Sequence, residues 1–177
     1  IPDAQPWTAE TPKLYDATVS TDTETVTIRI GFRSVAIAGD IITVNGEKIV
    51  FRGVNRHEWH PRTGRTLDEQ TMRADLELMK RHGVNAIRTS HYPPNARFLD
   101  LCDEYGVWVL LECDLETHGF ERGGWDGNPT NDDRWYDCLL NRIQRTVERD
   151  KNHPAIIGWS MGNESHCGEG IRLMNDW

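Results

Sequence analysis

The chain has 177 residues, with 20 Lys+Arg against 28 Asp+Glu and a formal net charge of −8, a balance that argues against an electrostatic footprint on nucleic acid or anionic lipid. An uncharged or cationic partner fits it better. No apolar run approaches the ~18 residues that span a bilayer, and Ile1-Pro2-Asp3 lacks the basic and apolar regions of a secretion signal, although one could precede Ile1.

Residues 1–49 read as β structure. Glu24 to Ile30 alternates Thr and Arg with Val and Ile at period two, and Asn45-Gly46 between Ile41-Ile42-Thr43-Val44 and Lys48-Ile49-Val50-Phe51 is the signature of a two-residue hairpin. Short strands without helices predict part of an immunoglobulin-like β-sandwich, whose seven or so strands would need roughly 100 residues if complete. The segment is therefore expected to supply the C-terminal strands of such a domain.

From residue 50 the texture changes to strand and helix in alternation. Val50 to Asn55 is a candidate strand, and a helix is predicted over Asp68–His82, where Met72, Leu76 and Met79 recur at helical spacing before Gly83. Val84 to Thr89 is the next strand, Asn95 to Tyr105 a helix ending at Gly106, and Val107 to Leu111 a fully apolar strand of the kind buried in a parallel sheet. A third helix, Asp133 to Arg149, is expected to place Trp135, Leu139, Ile143 and Val147 on one face. Asn152-His153-Pro154 ends it, Ala155 to Trp159 is a fourth strand, and Gly168 to Trp177 opens another helix.

Four βα units fit either a doubly wound sheet or part of a barrel, and the polar residues decide between them. The residues beyond the strand ends are Asn55-Arg56-His57-Glu58, Ser90-His91-Tyr92, the segment Glu112 to His118, and Gly162-Asn163-Glu164. All four ends carry titratable groups, as at the catalytic face of a barrel, whereas no G-x-G-x-x-G follows a strand as a dinucleotide site would require. A barrel takes ~250 residues, so residues 50–177 hold about half of one. The predicted class is α/β: the first half of a TIM (β/α)8 barrel, preceded over residues 1–49 by strands from an immunoglobulin-like β-sandwich.

Cys102, Cys113, Cys138 and Cys167 form no C-x-x-C and sit in apolar or helical contexts, so they read as reduced core thiols and favour a cytoplasmic location. Seven Trp outnumber the four Tyr and the four Phe. Several lie in loops, where a flat amphipathic ring is costly unless it packs or stacks, and sugar rings are one such partner. Trp125, inside Gly123-Gly-Trp-Asp-Gly127, and Trp59 suit a sugar platform, lid packing or a subunit contact equally well. Asp114, Asp126, Asp132 and Asp133 read as a solvated rim, and His82, His153 and His166 as structural.

Glu164 follows the fourth strand in Trp159-Ser-Met-Gly-Asn-Glu-Ser165, where Gly162 permits a sharp turn and Asn163 adjoins the carboxyl. Alone, such a glutamate is most often a solvated loop residue. Its neighbours change that. Trp7-x-x-Glu10-x-Pro12-x-Leu14-Tyr15, Arg52-Gly-Val-Asn-Arg-His-Glu58, Ser90-His91-Tyr92-Pro93, Cys102-Asp-x-Tyr105-Gly106, Glu116-Thr-His118-Gly119, Arg149-Asp-Lys-Asn-His-Pro154 and Trp159 to Ser165 run in register with the signatures of glycoside hydrolase family 2. The chain resembles the middle of a β-galactosidase of that family, and Glu-Thr-His-Gly with Gly-Asn-Glu-Ser favours this branch over β-glucuronidases and β-mannosidases.

The resemblance implies retaining hydrolysis of terminal β-D-galactose, as in lactose-type substrates, by double displacement. Glu164 would be the general acid/base, Asn163 would bond the sugar 2-hydroxyl, His57 and His91 would bond other hydroxyls, and Arg88 would orient an ionised nucleophile. A lone strand-end His is otherwise more often structural. Glu116, His118 and Glu164 match the family's magnesium ligands, with Mn2+ able to substitute; taken alone, Glu-Thr-His is an ordinary loop. Where the family commonly has an acidic residue ahead of the segment Glu112 to His118, this chain has Leu111. The parent enzyme is expected to be a homo-oligomer with no nucleic-acid or membrane partner. Two other readings stay open: a metal-dependent hydrolase on a barrel, and a non-catalytic carbohydrate-binding or assembly fragment. No residue here matches the nucleophile, so the 177-residue piece is expected to be inactive by itself; galactoside hydrolysis by the purified piece would refute that.

Overall fold

The computed structural model describes residues 3–177, so Ile1 and Pro2, counted above in the sandwich segment, lie outside the described residues. β1 (Tyr15–Ser20) and β2 (Thr25–Ile30) pair antiparallel, Tyr15 opposite Ile30. β3 (Val35–Ala38), β4 (Ile41–Val44) and β5 (Glu47–Lys48) form an antiparallel meander. Asn45 and Gly46 both take positive φ, 53° and 84°, the conformation of a mirror-image type I hairpin turn. β5 stops at Lys48 instead of running on to Phe51, because Asn85 captures the backbone that follows. Its Oδ1 accepts from the Arg52 N–H at 2.7 Å and its Nδ2 donates to the Val50 carbonyl at 2.9 Å, turning the chain out of the meander.

The chain then enters a parallel sheet of β6 (Gly53–Arg56), β7 (Ala86–Thr89), β8 (Trp108–Glu112) and β9 (Ile156–Ser160), in the order β6-β7-β8-β9. Each consecutive pair is joined through a helix: α1 (Glu69–Arg81), α2 (Ala96–Tyr105) and α3 (Tyr136–Asp150), with α4 (Glu169–Asp176) following β9. Neighbours in sequence that are neighbours in a parallel sheet, linked by helical crossovers, make the first half of a (β/α)8 barrel. The helix limits follow from their caps. Asp68 accepts from the Thr71 N–H at 2.8 Å, Asn95 accepts from the Arg97 N–H at 2.9 Å, and Gly106 ends α2 at φ 71°. There a Cβ would stand 2.3 Å from the Ala9 carbonyl oxygen, so only glycine fits.

One expected helix start moves. Asp132 to Trp135 is taken up by a capped 3-10 turn, so α3 begins at Tyr136. Trp135 falls outside the helix and is exposed, while Leu139 and Ile143 are buried and Val147 packs beside them, as the periodicity indicates. The cysteines also divide: Cys102 and Cys113 are buried, but Cys138 lies on the solvent face of α3 and Cys167 in the loop after β9, both exposed. Only half of them are core thiols. Among the described residues no helix is long and apolar enough to cross a membrane.

The main core lies between the sheet and helices α1 and α2, with Leu76, Phe98, Leu99, Leu101, Val109 and Leu111 fully buried. The opposite, concave face of the sheet is open, with Leu110 at 40% exposure beside a hollow of about 410 Å³ that Ile42 and Phe51 also line. The N-terminal segment is tied to the sheet's lower end. Trp7 stacks edge-on against Trp108 at 4.9 Å and donates from Nε1 to the Asp103 carbonyl, and Arg33 donates to the carbonyls of Pro154 and Ile156.

Asp103 completes this junction. Its carboxylate accepts from the Ala155 N–H at 2.9 Å and from His153 Nδ1 at 2.6 Å. Burial disfavours a charged imidazole, but Asp103, with Asp100 and Asp150 behind it, outweighs that, and His153 titrates above its ordinary 6.5. A folded-state value raised above the unfolded one contributes stability that is full below about pH 6.5 and is lost as the pH rises through the folded value. In thermal unfolding of the full-length protein, the stability advantage of wild type over His153→Gln should therefore shrink from about pH 6 to about pH 9. A pH-independent difference would contradict the assignment.

Candidate active site

The C-terminal ends of β6 to β9 converge on one cluster, and its centre is a residue that the motifs do not mark. Glu112, the last residue of β8, is fully buried. Arg88 grips it with two donors, Nε to Oε2 at 2.6 Å and Nη2 to Oε1 at 2.9 Å. His91 Nδ1 lies 2.7 Å from Oε1, Ser160 Oγ donates to Oε2 at 2.7 Å, and the Glu112 N–H donates to Thr89 Oγ1. The sheet register produces this meeting. Arg88 stands opposite Leu110 across β7 and β8, and Glu112 stands opposite Ser160 across β8 and β9. The period of two then puts Glu112 on the same concave side as Leu110 and Arg88, while Leu111 points into the apolar core.

Asn163 joins the cluster from the loop after β9. Its Oδ1 accepts from Arg88 Nη2 at 2.9 Å, its Nδ2 donates to Glu116 Oε1 at 3.0 Å, and its backbone N–H donates to the Leu115 carbonyl. A Cβ on Gly162 would lie 2.4 Å from that same carbonyl oxygen, which is why glycine precedes the Asn-Glu pair. Glu164 follows at φ 41°, a left-handed conformation uncommon for glutamate, and its carboxylate meets His118 Nδ1. His118 Nε2 reaches Glu121 at 2.7 Å.

Ser165 pins the loop from below. Its Oγ accepts from the Thr117 N–H and donates to the Asn163 carbonyl, and its own carbonyl accepts from Thr117, Asn128 and Thr130. The exposed carboxylates thus project from a loop whose base is fixed by buried hydrogen bonds.

All seven sequence-predicted residues fall in this one region. Arg88 and His91 are linked through Glu112, Asn163 through Arg88, and Glu116 through Asn163. The His57 ring lies edge-on to His91 at 4.9 Å. Donor atoms of Glu116, His118 and Glu164 lie within 4.8 Å of one another, all three side chains exposed. Two carboxylates and one imidazole facing water suit a hard divalent cation that keeps part of its hydration. His57, His91, Asp114 and Glu116 face an open groove of about 1100 Å³. The Cys113 thiol beside Glu112 is pushed by burial up to about 11, so it is no nucleophile. Trp125 stacks on His166 at 5.1 Å, and Asp114 pairs with Arg142 on the rim.

Glu112, Ser160 and Glu121 were not singled out from the sequence. The signal for Glu112 was available: a glutamate closing a five-residue apolar strand, two positions beyond Leu110 and therefore on the face of Arg88.

A parallel half barrel with carboxylates, histidines and a half-buried arginine gathered at its C-terminal edge has the architecture of a TIM-barrel enzyme's catalytic face. The comparisons give the family. The family model for glycosyl hydrolases family 2, TIM barrel domain, matches residues 35–177, and the chain belongs to that family. It is 58% identical to a β-galactosidase of Arthrobacter sp. (strain B7), the match covering 100% of this chain and 17% of that protein. With a β-galactosidase of Streptococcus thermophilus it shares 44% identity over 98% of its length and 18% of the relative's. Among solved structures, a β-D-glucuronidase of Dictyoglomus thermophilum superposes with a TM-score of 0.83 at 28% identity, over 98% of this chain and 32% of that one. A β-galacturonidase of Eisenbergiella tayi, solved with galacturonate bound, gives 0.76 at 33% identity, over 90% and 27%.

The ligand geometry makes a direct prediction. In the full-length protein, His118→Asn or Glu116→Gln should weaken binding of Mn2+, used as a spectroscopic probe, by about 10- to 100-fold. Unchanged Mn2+ affinity in both variants would remove the three residues as a cation site.

Proposed function

We propose that this chain is the part of a retaining β-galactosidase that holds the galactosyl unit and supplies the general acid/base, Glu164. One observation carries the reading: Asn163-Glu164 stands at the end of the fourth barrel strand, tied through Arg88, His91 and Glu116 into a single strand-end cluster. The β-galactosidase relatives at 42–58% identity support a galactoside, while the uronidase structures match at 25–34%. Lactose-type substrates are uncharged, which suits a chain of net charge −8.

In this mechanism Glu164 as a carboxylic acid donates its proton to the glycosidic oxygen while the bond to C1 breaks. A second carboxylate ~5 Å away, outside the present chain, bonds to C1. Glu164, now a carboxylate, then takes a proton from the water that attacks C1 as the bond from C1 to the second carboxylate breaks, and galactose leaves with its configuration retained. Asn163 spends one amide hydrogen on Glu116 and has another for the sugar 2-hydroxyl, a bond that strengthens as charge develops at C1. His57 and His91 meet other hydroxyls, and Arg88 holds the second carboxylate ionised. Glu116, His118 and Glu164 would hold Mg2+, or Mn2+ in its place, which when bound supplies positive charge that positions the carboxylates.

The division at residue 49, with β1 and β2 as sandwich strands, belongs to the same proposal, as do a cytoplasmic location and a homo-oligomeric parent. A metal-dependent hydrolase would instead lose all activity on chelation, and a non-catalytic fragment would belong to a parent that binds sugar without cleaving it.

The test is Glu164→Gln in the full-length protein. Hydrolysis of lactose should fall by about 10²- to 10⁴-fold, while an aryl galactoside with an acidic leaving group still glycosylates the enzyme and added azide yields the β-galactosyl azide. Undiminished lactose hydrolysis, or an α-azide product, would overturn the assignment.

A further inference from the structure

We infer that Glu112 is the positioning residue of this site: a buried carboxylate that fixes which polar atoms Arg88, His91 and Asn163 present to a bound sugar. The inference rests on the glycosidase reading above and adds to it a group that touches no substrate.

The hydrogen-bond count excludes a direct role. An ionised carboxylate offers about four acceptor positions, and Glu112 receives Arg88 Nε, Arg88 Nη2, His91 Nδ1 and Ser160 Oγ, all at 2.6–2.9 Å. The side chain is 0% exposed. Nothing is left over to accept from a sugar or a water, so Glu112 is neither the nucleophile nor the acid/base.

Its effect on each neighbour is specific. Because the carboxylate only accepts, His91 Nδ1 must carry the hydrogen between them, which sets the tautomer and leaves Nε2 as the ring's free nitrogen. Arg88 spends Nε and one Nη2 hydrogen on Glu112, and this locks the guanidinium plane. The other Nη2 hydrogen then falls on Asn163 Oδ1 at 2.9 Å. That contact orients the Asn163 amide, because a flipped amide would set its NH2 against the guanidinium and its oxygen against Glu116, two mismatches at once. The orientation of Asn163, the residue proposed to grip the 2-hydroxyl, is therefore inherited from Glu112 through Arg88.

A glutamine at this position keeps the shape and loses the function. Its amide presents one acceptor oxygen and two donors, so either Arg88 or His91 faces an NH2, and the guanidinium loses its matching charge. The test uses the full-length enzyme and a pair of β-galactosides that share a leaving group, one with its 2-hydroxyl and one 2-deoxy. In Glu112→Gln, kcat/KM for the 2-hydroxy substrate should fall about 10- to 100-fold, and the wild-type preference for the 2-hydroxyl should shrink by about tenfold. A residue that merely supported the fold would lower the melting temperature and leave that preference intact, and this result would overturn the inference. Should Glu112→Gln fail to fold, Arg88→Lys provides the second measurement. A point charge can pair with Glu112 but cannot hold Asn163 in the same plane, so the preference should shrink there too; full preference in a folded Arg88→Lys enzyme overturns the inference. A wild-type enzyme that hydrolyses β-galactosides while Glu112→Gln keeps its preference removes this inference alone. Absence of any such hydrolysis in wild type removes the underlying reading and this inference with it.

Discussion

The Arg88–Glu112 pair is the contact on which the rest of the site depends. Two charges taken out of water are expensive, and their mutual attraction repays the desolvation only when geometry and hydrogen bonding are close to complete. Both conditions hold: the contact is two-pronged, and His91 and Ser160 occupy the remaining lone pairs. Such a pair adds little net stability over a packed apolar alternative. What it does add is direction, because each partner's orientation is decided by the other's, and the direction passes on to the side chains that face the groove.

The sheet is what makes the pair possible. Parallel strands keep Arg88, Glu112 and Ser160 on one side at fixed register, and the same alternation that drives Leu111 into the core turns Glu112 toward the concave face. The exposed residues at the rim depend on the loop after β9. Ser165 anchors it with bonds that each join a side chain to a backbone group, so the positions of Glu116, His118 and Glu164 rest on the path of the chain more than on their own contacts. This fits the proposed function, in which the outermost carboxylates would meet a hydrated ion and a substrate while the inner one is held still.

Much of this architecture was legible in the sequence. Helix limits followed from Asp68, Asn95, Gly83 and Gly106, whose capping roles depend on local backbone chemistry alone, and the apolar run ending at Leu111 marked a buried strand. What the sequence hid were effects of distant residues. Asn85 cuts β5 short from across the sheet, a 3-10 turn displaces Trp135, and β1 and β3 carry too little apolar contrast to stand out. At the site, motif resemblance marked the residues that face solvent and passed over Glu112, because a buried carboxylate is recognised by its partners, and those come from the two flanking strands and the loop after β7.

The chain's acidity also has a more particular meaning than a surface average. Glu112 is neutralised by Arg88 and Asp103 is matched to His153, so the carboxylates in the interior carry their own counter-charges. At the rim the pairing is looser: Glu164 and Glu121 share the His118 imidazole, and Glu116 bonds only the Asn163 amide. The groove itself mixes signs, Arg65, Arg142, Arg145 and Arg149 against Asp114, Glu116 and Glu148, so its lining offers no single long-range preference to a charged ligand. Under the proposed function the ligand is an uncharged sugar, which long-range attraction does not favour, so selectivity would lie in the aim of individual hydrogen bonds. On that reading an ion pair with a fully buried carboxylate, which does little for stability, serves to aim the residues proposed to touch the sugar.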